Sequence, residues 1–149
     1  MRIAVCIKQV PASSEVAVDP VTHTLIREKS GTTMNPSDLN ALEMALEIKE
    51  KLEGMEPCEI VAVTMGPSSA EEELRTAIAM GVDEGCLLTD RCLAGGDTIA
   101  TSRTLARGIE ILGSVDLILT GAESSDGATG QVGPMLAEAL KFPHAIFVQ

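Results

Sequence analysis

Short apolar runs alternate with longer amphipathic ones along this chain. Five runs are apolar on both parities: Arg2–Ile7, Ile60–Met65, Cys86–Thr89, Val115–Thr120 and His144–Val148. Strands buried on both faces of a parallel sheet have this pattern. Four stretches between them have helical spacing instead. Ser37–Glu53 sets Leu39, Leu42, Ala45, Leu46 and Leu52 on one side, and Glu43, Glu47 and Glu50 on the other. Its start is marked by Asn35 as cap, Pro36 at the first helical position and Asp38 at the positive end, and Gly54 follows as a stop. A second helix opens at Ser68, with Glu71 completing a capping box, and ends at Gly81. A third spans about Asp97 to Leu112, before Gly113. A fourth spans about Thr129 to Leu140, before Pro143.

Strand and helix in alternation predict an α/β fold, a doubly wound parallel sheet with helices on both faces. One segment departs from it. Glu15–Lys29 holds two β-rich stretches about Asp19-Pro20, which predicts a small hairpin excursion between the first strand and the first helix. The chain, 1–149, reads as one α/β domain. A doubly wound sheet would continue beyond His144–Gln149 with a covering helix, so the expectation is a chain truncated before a C-terminal region or completed by a partner.

Charge narrows the classes. The chain has 11 basic and 22 acidic residues, a formal charge of −11, with two Phe and no Trp or Tyr. An acidic surface without aromatics excludes nucleic acid as the main partner. No run of 18 apolar residues spans a membrane, and the N-terminal run reads as a strand and not as a signal peptide. Cys6, Cys58, Cys86 and Cys92 form no C-x-x-C pair, and His23 and His144 stand far apart. A zinc site and a disulfide scaffold are therefore not expected, and free thiols point to a reducing cytoplasm.

In an open parallel sheet, ligands bind beyond the carboxyl ends of the strands. Three loops reach that edge: Cys6–Ser13, Met65–Ser69 and Gly121–Pro134. The third, GAESSDGATGQVGP, is rich in glycine and small polar residues and runs into a helix. Glycines let backbone N–H groups close on an anion, and the helix dipole favours one there. Ser124, Ser125 and Thr129 add hydroxyls, while Asp126 suits a ribose hydroxyl or shapes the turn. An Asp-Gly turn followed by a helix start accounts for the same residues without a ligand. Asn35-Pro36-Ser37-Asp38 reads locally as helix capping, and alternatively as a contact to a base or ribose. The P-loop, the G-x-G-x-x-G fingerprint and the G-x-S-x-G elbow are all missing. Chemistry on an adenylate phosphate would need metal or lysine support, and the loops show no such constellation. Nothing identifies a nucleophile.

Four ordered blocks carry a family resemblance. They are AVCIKQVP with Lys8, MNPSDLNALEMALEIKE, EIVAVTMGPSSAEEELRTAIAMGVDEG and DLILTGAESSDGATGQVGP. Together they resemble the N-terminal part of the β subunit of electron-transfer flavoproteins. The resemblance implies a Rossmann-like sheet of the adenine-nucleotide α-hydrolase kind. It also implies a heterodimer with an α subunit holding the electron-carrying FAD, which passes electrons from flavin dehydrogenases to an acceptor as a carrier and not as an enzyme. On the β side the family binds AMP, or a second FAD in its electron-bifurcating branch. The positions implied to contact that nucleotide are Cys6, Asn35, Pro36, Ser37, Asp38 and Met65. With them go Gly121, Ala122, Glu123, Ser124, Ser125, Asp126, Gly127, Ala128, Thr129, Gly130, Gln131 and Val132. The stretch from Asp126 to Pro134 is closer to the "DGDT-x-QVGP" form of bifurcating and related anaerobic proteins than to "DDDCNQTGQ". Ala128 replaces the second acid, and Glu123 stands where Gln is usual. A small adenine-nucleotide-binding regulator of universal-stress type is the alternative.

Overall fold

A computed structural model describes residues 1–12 and 31–148. Four parallel strands form the sheet: β1 (Arg2–Cys6), β4 (Glu59–Met65), β5 (Glu84–Leu88) and β6 (Leu117–Thr120), in the order β5-β4-β1-β6. Two short strands, β2 (Gln9–Pro11) and β3 (Thr32–Met34), pair antiparallel outside it. The helices are α1 (Pro36–Leu52), α2 (Glu71–Met80), α3 (Thr98–Leu112) and α4 (Val132–Leu140). The hairpin expected at 15–29 lies outside the described residues.

Alternation of side chains across the strands makes two cores. Ile3, Val5, Ile60 and Ala62 face α1 and α2, where Leu42, Ala45, Leu74 and Ala77 meet them. Ala4, Cys6, Val61 and Val63 face α3 and α4, where Leu105, Ile109 and Leu136 meet them. Ile3–Cys6 and Ile60–Thr64 are therefore buried on both parities, which is why these runs show no polar alternation. The sheet is doubly wound as expected. From β1 the chain steps outward through α1 to β4 and through α2 to β5. It then returns by α3 to the other side of β1, where β6 pairs with Ile3–Cys6. Strand order reverses between β1 and β6, and the crevice beyond their carboxyl ends is the place such a fold offers a ligand.

Three expectations are corrected. His144–Val148 is not a strand: it pairs with no strand, and Ile146, Phe147 and Val148 lie exposed. Lys141 closes α4 in the left-handed conformation, and Phe147 has φ 53°, so the run cannot stay extended along an edge. Hydrophobic composition alone does not make a strand without a ladder to join. The capping box at Ser68 does not form either. Ser68–Ala70 is a 3-10 turn, and α2 starts at Glu71 without a side-chain cap. Finally, α4 begins at Val132 and not at Thr129. Ala128 and Gly130 both have positive φ, so no helix can pass through them.

Candidate nucleotide site

Three segments meet at the β1/β6 crevice: the exit of β1, the start of α1 and the loop 121–131. Lys8 leaves β1 with its backbone fixed on both sides. Its N–H donates to Asp38 Oδ2 at 2.7 Å, and its carbonyl accepts from the Asn35 N–H at 2.9 Å. Asn35, 2% exposed, then reaches across to the loop. Its Nδ2 donates to Asp38 Oδ1 and to the Glu123 carbonyl, both at 2.9 Å, and its Oδ1 accepts from the Ser125 N–H at 3.0 Å. Ser37 Oγ accepts from the Ala122 N–H at 2.7 Å.

The reading of Asn35 as a helix cap is thus corrected. Its side chain makes no cap bond to α1 and instead ties that helix to the β6 loop. Gly121 has to be a glycine here. A Cβ would run into the Asp38 carboxylate and come within 2.9 Å of the Ser37 carbonyl carbon.

Asp38 is the hub of this junction. Burial pushes its carboxyl up to about 6, against the pull of Asn35, of the Lys8 and Gly121 backbone N–H groups and of the Lys8 charge. Cys6, the last residue of β1, lies in register with Thr120 and Val63. Burial, helped by the nearby Asp38 charge, pushes its thiol up to about 12, so it is no nucleophile.

The outer part of the loop is open to solvent. Ser124 and Ala128 close a turn, the Ala128 N–H donating to the Ser124 carbonyl at 2.7 Å. Among the described residues, the N–H groups of Gly127, Thr129, Gly130 and Gln131 have no protein partner. The hydroxyls of Ser125 and Thr129 stand on the same exposed shelf. Val132 then opens α4, with Pro134 in its first turn, so the positive end of that helix borders the shelf.

Over this shelf lies a cation that sequence reasoning missed. Lys8 Nζ contacts Asp126 Oδ1 at 2.6 Å and Ser124 Oγ at 3.3 Å. Burial pushes the Asp126 carboxyl up, but hydrogen bonds from Lys8 and Ser124 and the Lys8 charge outweigh it and hold it below the usual range. The expectation that no lysine supports the loop is therefore corrected. One signal was present: Lys8 is the sole Lys or Arg in residues 7–12, 31–38, 66–70 and 121–131.

The structure thus gathers Cys6, Asn35, Ser37, Asp38 and Gly121–Asp126 into one junction, with Pro36 exposed at the first turn of α1 and Gly127–Val132 forming the rim. Met65 ends β4 on the same sheet edge, but it packs against the α3–α4 core and makes no hydrogen bond to the loop. Gln9 links the edge to the loop after β4, its Nε2 donating to the Ser69 carbonyl at 3.0 Å. Two surface hollows, of about 420 Å³ beside α3 and about 920 Å³ between α1 and α2, touch none of these residues. The crevice is the better candidate, because free N–H groups, hydroxyls and a cation converge there among the described residues. Among the described residues, no three His, Cys, Asp or Glu side chains cluster to hold a metal ion.

The electron transfer flavoprotein domain family matches residues 22–149. The chain is 50% identical over 149 residues to the caffeyl-CoA reductase-Etf complex subunit CarD of Acetobacterium woodii, covering 100% of this chain and 56% of that protein. It is 48% identical over 149 residues to the electron transfer flavoprotein subunit beta of Thermoanaerobacterium thermosaccharolyticum, covering 100% and 55%. It is 49% identical over 144 residues to protein FixA of Bradyrhizobium diazoefficiens, covering 94% and 49%. The chain spans about half the length of these curated relatives.

Proposed function

The chain belongs to the electron transfer flavoprotein family, on its β-subunit side, and we propose that its β1/β6 crevice binds AMP or FAD by the adenylate phosphate. The single observation that carries this is the convergence of Lys8, the unpartnered N–H groups of Gly127, Thr129, Gly130 and Gln131, and the hydroxyls of Ser125 and Thr129. These donors suit a phosphate, and none of them suits an apolar ligand. Asn35, Ser37 and Asp38 hold the inner loop so that the outer N–H groups stay aligned. A bound flavin would carry electrons itself, and the chain's part would be to hold and orient it.

On this reading the chain is a carrier subunit and not an enzyme. It passes electrons from flavin dehydrogenases to an acceptor, in a heterodimer with an α subunit. The name of the Acetobacterium relative, a subunit of a reductase-Etf complex, supports assembly with other chains. Family membership favours this reading over a regulator of universal-stress type. Four free cysteines fit a cytoplasmic setting. Among the described residues no helix is long and apolar enough to cross a membrane. The test is to denature the purified chain and identify the released nucleotide by mass spectrometry and flavin absorbance. FAD or AMP in near-stoichiometric amount is expected. A chain that releases no nucleotide and takes up neither FAD nor AMP when supplied overturns the reading.

A further inference from the structure

Among the described residues, the shelf at the crevice is poor in positive charge for a phosphate site. Lys8 is its one ammonium among them, and the Asp126 carboxylate already lies on it. That ammonium is already engaged, and both of its partners, Asp126 at 2.6 Å and Ser124 at 3.3 Å, belong to the loop. The Lys8 backbone is pinned by Asp38 and Asn35, so only its side chain is free to move. The side chain is 44% exposed and that of Asp126 is 27% exposed, so the pair can open without stranding a buried charge.

We propose that the Lys8–Asp126 ion pair is a latch on the nucleotide loop: Lys8 is the cation that receives the ligand's phosphate, and Asp126 is the resident anion that the phosphate displaces. This rests on the nucleotide reading above and adds to it which residue selects for an anionic ligand. The latch sets the affinity for phosphorylated adenine nucleotides and is indifferent to the uncharged nucleoside. A carboxylate that competes with the phosphate for the same ammonium weakens binding, so removing it should tighten the site. If the pair only shaped the loop, removing either partner would loosen it.

The test measures AMP and adenosine affinity of the full chain by titration calorimetry, for wild type and three variants. Asp126→Asn keeps the shape and frees Lys8, and is expected to tighten AMP about three- to tenfold. Lys8→Met should weaken AMP about ten- to a hundredfold, while Lys8→Arg stays within about threefold of wild type. Adenosine affinity should be equal in all four proteins, and added salt should narrow the AMP differences. Asp126→Ala serves as a second variant if Asp126→Asn fails to fold. Wild-type binding of AMP together with equal or weaker binding by the Asp126 variants overturns the latch alone. A wild-type chain that binds none of AMP, ADP and FAD overturns the latch and the nucleotide reading together.

Discussion

Replacing Asn35 by aspartate changes one NH2 into an oxygen and nothing in volume, yet it should break the junction between β1, α1 and β6. The acceptor role toward Ser125 survives. The donor bond to the Glu123 carbonyl does not, and the one to Asp38, now between two oxygens at about the present 2.9 Å, depends on a proton shared by the two carboxyls. Leaving the Glu123 carbonyl without its donor at a site 2% exposed costs about 1–3 kcal/mol, before the cost of holding that proton is added.

Two carboxyls this close cannot both ionise, so the pair holds one proton in the folded state. The folded variant then binds more protons than the unfolded chain up to the raised pKa of the pair, and its stability falls as pH rises through that window. Asp38 alone, with its pKa pushed up to about 6, has the same trend only up to that value. The excess cost of N35D should therefore grow above pH 6, by up to about 1.4 kcal/mol per pH unit. Urea denaturation of wild type and N35D at about pH 5.5 and about pH 8 measures it. A loss under about 1 kcal/mol, or one equal at the two pH values, would refute the reasoning.

Three further outcomes follow from the same geometry. Gly121→Ala should cost about 1–3 kcal/mol, or about 2–12 °C in Tm, and weaken AMP in parallel; a melting curve matching wild type contradicts the close approach to Asp38 and Ser37. Asp38→Asn removes a carboxyl whose raised pKa makes wild type lose stability as pH rises from 3.8 to about 6. Relative to wild type, the variant should thus gain up to about 3 kcal/mol between about pH 4 and about pH 7; parallel pH curves would exclude this. Iodoacetamide should modify exposed Cys92 in the native chain and buried Cys6 only after unfolding, read by peptide mass spectrometry; equal rates would place Cys6 at the surface.

What the sequence made legible was local. The runs Arg2–Ile7 and Ile60–Met65 became the two central strands nearly to the residue, because burial on both faces leaves Thr64 as the one polar side chain in their buried stretches. The third helix starts as read, Asp97 accepting from the Ala100 N–H at 2.8 Å. The glycine-rich loop lies at the switch point, since its own strand and helix position it. Contacts between distant segments were not legible. The Lys8–Asp126 pair joins residues 118 apart in sequence, and no periodicity predicts it. Asn35 has the identity and position of a helix cap, and only the fold shows its side chain bonding to residues 88 and 90 positions away. The three-residue strands β2 and β3 are too short to register as a pattern, with Val10 and Met34 as their buried residues. His144–Val148 has strand composition and no ladder to join.

The most direct test of the central claim is an amide NMR titration of the isotope-labelled chain with AMP. Binding at the crevice predicts saturable shifts at Lys8, Asn35 and the amides of 121–131, with Gly127, Thr129, Gly130 and Gln131 among the largest. Amides lining the hollows beside α3 and between α1 and α2 should stay still. No saturable shift, or shifts confined to those hollows, would contradict the claim.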